Sequence, residues 1–328
     1  MTCTIPVHYT PRDLPAFLYW MAFDLNVPYR CSIIARMHWG NEVGPLDQPR
    51  RGTNQESNIN ASSNIEPLKS ELTRIANAVY TAYRELPKDY DGHIHVGKGA
   101  SGSQTSKIDK FAEDVILKYL DEEEIGLNVL SEEAGFIDRG GSQVLVVDPI
   151  DGTLNCTRGV PFFSVSLAIG KSKLSDCDHA LVRNLSTGDT YFARRGGGAE
   201  LNGHRIGISK YDKDEGMFII YNNKDSSPET DRVRKMASKV RSFGAASLEM
   251  CLVAQGAAQA LYMNCAKFQR MIRVIDIAAS CLILREAGGE VVDLSGDKLD
   301  MEFDLKDRKN FLAYGDPMVK EMVLRGSE

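Results

Sequence analysis

The sequence predicts an α+β fold in which α-helices cover mixed β-sheets. One observation is a helical periodicity that begins after Pro67 and repeats apolar residues every three or four positions. A second is a set of short apolar runs, such as residues 144–147, that are typical of buried strands. A third is the alternation of helical and strand-like segments over the last part of the chain. Alternation of this kind favours layers of sheet and helix around a shared core.

Each element follows from the local pattern. A first helix begins near Pro67, because proline suits the first helical turn, and a second spans about residues 105–120. Four glycines between residues 92 and 102 predict a loop between the two helices. Strands are predicted at 127–130 and 144–147, with strands and turns over 162–208. The later helical and strand segments are 230–239, 247–257, 260–263, 276–287, 290–293, 311–314 and 317–324.

The composition excludes several classes of protein. With 43% hydrophobic and 26% charged residues, the chain of 328 residues is ordinary for a globular protein. A formal net charge of −6 argues against nucleic-acid binding through phosphate attraction. Apolar stretches are shorter than a membrane-spanning helix, so no membrane partner is expected. The seven cysteines lack CxxC pairs, which disfavours a zinc site or a disulfide framework and predicts a cytoplasmic location.

Residues 1–64 differ in character from the rest of the chain. The first 52 mix proline, aromatic and polar residues without a sustained period, and residues 52–64 are polar and low in complexity. We predict an N-terminal extension over 1–64 that is poorly ordered or results from a wrongly chosen start. The alternatives are a lid over a site and an oligomer contact.

An acidic motif, DPIDGT at residues 148–153, follows the apolar run at 144–147. Its carboxylates, Asp148 and Asp151, project into a small volume, where they repel each other unless a cation lies between them. Hard divalent cations, Mg²⁺ above all, prefer such oxygen ligands. Gly152 permits a tight turn, and Thr153 adds a hydroxyl beside the carboxylates. The alternative is a strand-end turn in which the aspartates act only as caps.

Two other segments carry carboxylates in similar positions. Glu132 and Glu133 follow the apolar run at 127–130, as Asp148 follows its own strand. Asp276 stands at the start of an apolar helix, where a side chain can cap the helix and point at a ligand. Together the three segments predict a cation site.

The combination resembles the inositol monophosphatase family of Mg²⁺-dependent, lithium-sensitive sugar and polyol phosphatases. DPIDGT followed by Asn155, and the run PFFSVSLAIG at 161–170, match the metal motif of the family and its continuation. The second family signature, W-D-x-A-A-G, is similar to IDIAAS at 275–280, with Ile275 in place of tryptophan and Ser280 in place of glycine. The similarity extends from about Pro67 to the C-terminus.

This resemblance implies the layered α-β-α-β-α sandwich of the sugar phosphatase type. It implies an enzyme that forms homodimers, with a phosphatase domain at 65–328 and lobes at about 65–208 and 209–328. The metal ligands that it assigns are Glu132, Asp148, Asp151, Asp276 and the backbone carbonyl of Ile150, with Glu133 in support. The expected cofactor is Mg²⁺, as two or three ions, with Mn²⁺ as the alternative, because every ligand is an oxygen.

The expected reaction is in-line attack of a metal-activated water on a phosphate monoester, without a covalent intermediate. The resemblance pairs Asp109 with Thr153 to orient the water, and Glu132 shares the catalytic role. From periodicity alone, Asp109 is a solvated or capping acid. Lys98, in the glycine-rich loop, matches a family lysine near a weakly held metal, or else it is an ordinary exposed lysine.

Backbone N–H groups are the predicted contacts for the reacting phosphate. Gly152 and Thr153 open a helical turn, which offers N–H donors to an anion. The segment 243–247 looks like a G-[ST]-A segment of the family, so Gly244, Ala245 and Ala246 are further predicted substrate contacts. Ala245 stands where the family has a hydroxyl residue, so only a backbone contact is expected there.

The segment 264–273 decides the expected substrate. It is longer than in typical inositol phosphatases and carries Lys267, Arg270 and Arg273 close to Asp276. A second phosphate on the substrate requires cationic side chains in the site, whereas the neutral end of a polyol does not. We therefore expect fructose 1,6-bisphosphate, inositol 1-phosphate or both as substrates; otherwise the cations form a solvated basic turn. The alternative function is a 3′(2′),5′-bisphosphate nucleotidase, and a remote one is a non-catalytic metal-bound regulatory protein.

Overall fold

The computed structural model of the protein describes residues 65–325, so the predicted extension at 1–64 lies outside the described residues. The α-helices of the described part are α1 (Ile65–Arg84), α2 (Lys107–Glu122), α3 (Thr153–Arg158), α4 (Glu229–Met236), α5 (Ala246–Ala254), α6 (Val274–Glu286) and α7 (Pro317–Arg325). Its strands are β1 (His95–Lys98), β2 (Gln104–Ser106), β3 (Asn128–Ser131), β4 (Gly135–Ile137), β5 (Val144–Asp151), β6 (Ser164–Gly170), β7 (His179–Asn184), β8 (Thr190–Arg194), β9 (Gly198–Leu201), β10 (His204–Arg205), β11 (Met217–Ile220), β12 (Lys239–Arg241), β13 (Ala260–Met263), β14 (Glu290–Val292) and β15 (Phe311–Tyr314).

The strands form three sheets. Strands β1 and β2 form a hairpin, eight strands form a large sheet in the order β10-β9-β8-β7-β6-β5-β3-β4, and five form a smaller sheet in the order β12-β11-β13-β15-β14. In the large sheet, β3 and β5 are parallel and the other neighbouring pairs are antiparallel. In the smaller sheet, β12, β11 and β13 are parallel, whereas β15 is antiparallel to both of its neighbours. Both larger sheets are mixed, as predicted.

The parallel pair β3 and β5 places the acidic ends of two strands together. Ser131 is opposite Val147 in this pair, so Glu132 and Asp148 come next along neighbouring strands at one edge of the sheet. The register of β5 against β6 shifts between Asp148 and Asp151. An irregularity of this kind bends a strand and redirects the side chains that follow it. Asp148 pairs with Ser166 and Asp151 pairs with Ser164, so one extra residue of β5 lies between them and both aspartates oppose the same face of β6.

Three hydrophobic clusters fill the four interfaces between five layers, because one cluster covers both sides of the middle helical layer. Helices α1 and α2 cover one face of the large sheet, which includes Leu145 and Val147 of β5. Helices α5 and α6 lie between the two sheets and contact the face that carries Val144 and Val146. Helices α4 and α7 cover the outer face of the smaller sheet. The order is α-β-α-β-α, which confirms the predicted sandwich.

Strand β5 and helix α6 lack a polar face because each is covered from both sides. All eight residues of β5 are buried, and eleven of the thirteen residues of α6 are buried. An element enclosed by two layers is apolar on all sides. Asp148 and Asp151, in the second half of β5, and Asp276, in the first turn of α6, are therefore carboxylates in enclosed elements, where leaving them without a partner costs free energy.

The structure corrects several details of the predicted elements. The predicted loop at 92–102 contains β1 and leads into β2, strands of four and three residues that are too short to show a period. Strand β5 continues through the acidic motif to Asp151. Strands β11 and β12 are additional to the predicted elements, and the predicted segment 230–239 ends in β12. None of the described helices is long and apolar enough to cross a membrane. The division into lobes near residue 208 stays a prediction.

Candidate active site

Three carboxylates from three separate segments meet at one point. Glu132 follows β3, Asp148 lies in β5, and Asp276 lies in the first turn of α6. One ligand oxygen of each residue lies within 4.8 Å of those of the other two. Carboxylates this close together can share one divalent ion. The structure thus brings together three of the four carboxylates predicted as metal ligands.

Asp151, the fourth predicted carboxylate, lines the same cavity but is held by α5. It accepts hydrogen bonds from the N–H groups of Ala246, at 3.1 Å, and Ser247, at 2.8 Å, and from the Ser247 hydroxyl. The first N–H groups of a helix have no partner within the helix, and they favour a negative charge. The Ala246 N–H, predicted as a substrate contact, is therefore directed at Asp151.

The buried carboxylates are short of positive charge. Burial raises the pKa of Asp148 well above its ordinary value, and repulsion from neighbouring carboxylates, that of Asp151 first, raises it further. Burial also raises the pKa of Asp151 to about 7, although hydrogen bonds from Ser247 lower it. A divalent cation would relieve both the repulsion and the cost of burial. The oxygen-only ligand set fits Mg²⁺ or Mn²⁺ rather than a metal that prefers nitrogen or sulfur.

Arg273 supplies one positive charge to this cluster. Its guanidinium donates to the two oxygens of Asp276, at 2.9 and 3.3 Å, and forms an ion pair with Glu132. Only 12% of the Arg273 side chain is exposed. Burial opposes its charge, yet the carboxylates of Asp276 and Glu132 raise the pKa of Arg273 above its ordinary value. Predicted as a substrate contact, Arg273 lies against two of the predicted metal ligands.

The other two predicted cations are paired with a different acid. Lys267 and Arg270 both form ion pairs with Asp225, whose side chain is only 5% exposed. Arg270 also lines the cavity that contains the carboxylates, whereas Lys267 is not among its lining residues. The three cations that the sequence groups together are thus divided between two acidic partners.

Asp109 and Thr153 are in direct contact. The Thr153 hydroxyl lies 2.9 Å from Asp109 Oδ1 and 3.1 Å from the carbonyl oxygen of Ile150, and it can donate to either. Ser106, the N-cap residue of α2, donates its hydroxyl to Asp109 Oδ2 at 2.7 Å. Burial raises the pKa of Asp109 to about 6, while the hydrogen bonds from Ser106 and Thr153 lower it. Periodicity alone suggests a solvated or capping acid, but Asp109 is buried because α2 presents its first turn to the cluster.

Glu133 and Lys98 lie near the junction between the β1–β2 hairpin and β3. The Thr105 hydroxyl contacts the Glu133 carboxylate, and the N–H of Ala100 donates to the Glu133 carbonyl at 2.9 Å. Burial raises the pKa of Glu133 to about 7. Lys98 is exposed on β1 and is not among the residues that line the cavity. Glu133 thus holds the β1–β2 hairpin beside the neighbouring residue Glu132, which belongs to the acidic cluster. The role of Lys98 stays a prediction.

Gly152, which follows the acidic strand β5, packs closely against Ala245 in the loop before α5. Its φ of +87° is in the left-handed region, and a β-carbon there would lie 2.9 Å from the β-carbon of Ala245. Both the backbone conformation and the close approach require glycine. The Asn155 amide donates to the carbonyls of Phe162, at 2.8 Å, and Phe243, at 2.6 Å. Asn155 of α3 therefore holds two segments in place: the one at Phe162 and the predicted phosphate-contact segment 243–247.

Two residues are additional to the predicted site. Glu249, fully buried in α5, accepts hydrogen bonds from the N–H groups of Phe243, at 2.6 Å, and Gly244, at 2.9 Å. Its sequence signal is a single charged residue inside an apolar helix, which indicates a buried and paired acid. Arg308 lines the cavity from an irregular segment, where no periodic pattern indicates which residues are buried.

The cavity that contains the carboxylates has a volume of about 310 Å³. This volume suits a small ligand. Its charged lining residues are Glu132, Asp148, Asp151, Asp276, Arg270, Arg273 and Arg308. A neighbouring cavity of about 590 Å³ shares Gln269 and Arg308 with it and has a mainly apolar lining that includes Phe136 and Phe268.

Comparison with known proteins identifies the family. Residues 65–325 match the model of the inositol monophosphatase family. The chain belongs to this family. It is 33% identical over 229 residues to a fructose-1,6-bisphosphatase/inositol-1-monophosphatase of Methanocaldococcus jannaschii, a match that covers 70% of this chain and 87% of that protein. A crystal structure of an inositol monophosphatase-fructose 1,6-bisphosphatase aligns with a TM-score of 0.69 and 32% identity over 78% of this chain and 98% of that chain.

A third relative combines two activities in its name. The chain is 33% identical over 250 residues to a bifunctional NADP phosphatase/NAD kinase of Methanococcus maripaludis, which covers 69% of this chain and 43% of that protein. Together the matches confirm the predicted family, the sandwich fold and the phosphatase class. In this inositol monophosphatase family member, the roles of individual residues stay predictions.

Proposed function

We propose that the protein is a Mg²⁺-dependent phosphomonoesterase that hydrolyses fructose 1,6-bisphosphate, inositol 1-phosphate or both. The observation that carries this proposal is the meeting of the Glu132, Asp148 and Asp276 oxygens within 4.8 Å. The hydrogen bond between Thr153 and Asp109 adds a proton acceptor to the same region. Buried carboxylates that outnumber their cationic partners suit a site for divalent ions.

The chain itself provides the ligands and orients them. Bound Mg²⁺ would neutralise charge on the phosphate and lower the pKa of a water molecule. Glu132, Asp148, Asp151, Asp276 and the Ile150 carbonyl are the proposed ligands. Arg273 orients two of these carboxylates through its bonds to Asp276 and Glu132. The first turn of α5 orients a third, Asp151, through two N–H groups.

The pair formed by Asp109 and Thr153 is suited to hold and accept a proton. Thr153 donates its hydroxyl to Asp109 Oδ1 or to the Ile150 carbonyl, which leaves the lone pairs of its oxygen for an O–H of water. A carboxylate with a pKa of about 6 is mostly ionised at neutral pH and still accepts a proton readily. We assign Asp109 as the acceptor that receives the proton of the attacking water through the Thr153 hydroxyl.

The size and charge of the cavity support a small substrate with more than one anionic group. A volume of about 310 Å³ suits a sugar or polyol phosphate. Three arginine side chains line the cavity beside the carboxylates, so a second phosphate has cations within reach. The name of the Methanocaldococcus jannaschii relative includes both proposed activities.

Phosphate release with Mg²⁺ present tests this proposal. Fructose 1,6-bisphosphate, inositol 1-phosphate and 3′-phosphoadenosine 5′-phosphate are compared, with Asp151→Asn as the control variant. We expect activity on one or both of the first two compounds and its loss in the control. Preference for the adenosine compound would support the nucleotidase alternative and leave the metal chemistry standing. Activity that survives both Asp151→Asn and EDTA would contradict the metal-dependent mechanism.

A second candidate substrate is a dinucleotide phosphate such as NADP. The neighbouring cavity favours it, because exposed Phe136 and Phe268 offer aromatic surface next to the cations of the active-site cavity. The Methanococcus maripaludis relative carries NADP phosphatase in its name. NADP added to the same substrate panel tests this candidate. A Phe268→Ala variant that loses NADP hydrolysis but keeps fructose 1,6-bisphosphate hydrolysis would support it.

The assembly and the location are also proposals. We propose a homodimer in the cytoplasm, on the basis of the family resemblance and the cysteine pattern. Light scattering of the purified protein and cell fractionation test the two statements. A monomer at all protein concentrations, or recovery of the protein outside the cytoplasmic fraction, would contradict them.

A further inference from the structure

The three arginines of the active-site cavity differ in their partners. Arg270 is paired with Asp225, and Arg273 is paired with carboxylates of the acidic cluster. Arg308 forms no ion pair with any carboxylate of residues 65–325; its guanidinium donates only to the carbonyl of Met271, at 3.4 Å. Arg308 is therefore the cation of the cavity whose charge the described residues leave without an acidic partner.

The backbone holds Arg308 at the cavity wall. Ile272 and Lys309 exchange two backbone hydrogen bonds of 3.0 Å, so the segment that carries Arg308 lies beside the segment that carries Arg273. Upstream, the Asp304 carboxylate accepts the N–H group of Lys306 at 2.7 Å and a second N–H from the next residue at 2.8 Å. A cation presented from a segment that is fixed at both ends loses less conformational entropy when it binds an anion.

The surroundings of Arg308 favour an anion. Burial lowers the pKa of Arg308, and so does the neighbouring guanidinium of Arg273. The carboxylates of Asp276 and Glu132 act in the opposite direction but are already bonded to Arg273. A phosphate that reaches Arg308 would therefore meet a half-buried cation, and it would not have to displace a carboxylate from that cation.

The position of Arg308 points to the part of the substrate that does not react. Arg308 and Gln269 line both the active-site cavity and its neighbour. None of the four proposed metal-binding carboxylates lines the second cavity. Arg308 thus lies where the active-site cavity leads away from the carboxylates, against which the proposed metal-dependent reaction would hold the reacting phosphate.

We propose that Arg308 binds the second, non-reacting phosphate of a bisphosphorylated substrate and so determines the preference for that substrate class. The proposal rests on the proposed phosphatase function and moves the predicted contact away from Lys267, Arg270 and Arg273. Two parallel N–H bonds from a guanidinium to a phosphate are among the strong charge-assisted contacts in proteins. The other three cations have acidic partners that a second phosphate would have to displace.

Steady-state kinetics of Arg308→Ala and Arg308→Lys test the proposal. In Arg308→Ala, we expect kcat/KM for fructose 1,6-bisphosphate to fall about 10- to 100-fold, which is the effect of losing one charge-assisted contact. For inositol 1-phosphate, kcat/KM stays within about threefold, because that substrate has no second phosphate. Arg308→Lys keeps the charge and restores part of the loss. Arg270→Ala is the competing variant, because Arg270 lines the same cavity but is paired with Asp225, and a smaller loss is expected for it.

A binding measurement separates recognition from chemistry. Fructose 6-phosphate retains only the non-reacting phosphate, so its affinity, measured by calorimetry, should fall in Arg308→Ala by a similar factor. Inorganic phosphate should inhibit both proteins equally. Circular dichroism verifies that the variants are folded.

Each outcome decides the matter. A selective loss for the bisphosphate and for fructose 6-phosphate supports the assignment of Arg308. Equal losses for both substrates, no loss, or a selective loss in Arg270→Ala instead would overturn it while the phosphatase function stands. If the wild-type protein releases phosphate from neither compound, the proposed function fails and this inference fails with it.

Discussion

The hydroxyl of Ser247 should contribute to stability by an amount that depends on pH. Ser247 is fully buried and donates to Asp151, whose pKa in the folded protein is about 7. It also lies 2.8 Å from the hydroxyl of Ser164, which is equally buried. Because this hydrogen bond lowers the pKa of Asp151, it is stronger to the ionised carboxylate than to the neutral acid.

The magnitude follows from the change in the charge of Asp151. A hydrogen bond to a charged group contributes about 1.5–3 kcal/mol, and one between neutral groups contributes about 0.5–1.5 kcal/mol. Ser247→Ala should therefore lower the free energy of unfolding of the EDTA-treated protein by about 2–3 kcal/mol at about pH 8.5, and by roughly 1 kcal/mol at about pH 5.5. Removing one oxygen leaves almost no cavity, so the loss of packing adds little.

Urea unfolding followed by circular dichroism measures both values. The matched control is Ser280→Ala, because Ser280 is also fully buried but donates only to the neutral carbonyl of Ile277, at 3.3 Å. We expect the control to cost less than about 1 kcal/mol, with no dependence on pH. A cost for Ser247→Ala that is the same at both pH values, or that equals the cost of the control, would refute this reasoning.

Three other predictions concern the same region. Thr153→Val should lower kcat by about 100-fold or more, because it removes the link from water to Asp109, while Thr153→Ser keeps most of the activity; equal losses in steady-state assays would contradict this. Gly152→Ala should lower the stability by about 2 kcal/mol or more in thermal unfolding, with or without Mg²⁺, because its φ is +87° and the new methyl group meets Ala245; an unchanged Tm would rule this out. The folded-state pKa values of Asp109, about 6, and Asp151, about 7, lie above the ordinary value of 3.8, so the folded protein binds more protons than the unfolded chain between about pH 4 and pH 7. The Tm of the EDTA-treated protein should therefore fall as pH rises through that window, and Mg²⁺ should remove most of the fall; a rising Tm in EDTA would count against the pKa shifts.

The acidic motif and the main elements could be predicted because their signals are local. Asp148 and Asp151 are three positions apart in the chain, so their closeness in space follows from the sequence alone. The apolar periods of α1, α2 and β5 similarly require no knowledge of distant segments. Strands β1, β2 and β12 were harder, since their sequences HVGK, QTS and KVR lack the apolar run that marks the equally short β13 and β15. Strand β11, MFII, does carry such a run and is nevertheless absent from the predicted elements.

Tertiary structure decided which charged side chains of the site pair with each other. The sequence groups Arg270 and Arg273 with Lys267, but the fold gives Arg270 to Asp225 and Arg273 to Asp276, and it adds Arg308 from an irregular segment. The partner of an ion depends on which distant segments meet and on how much water remains between them. The sequence alone therefore determined the family, the layers and the candidate carboxylates, whereas only the folded chain decided which cation of the cavity is left without an acidic partner among the described residues.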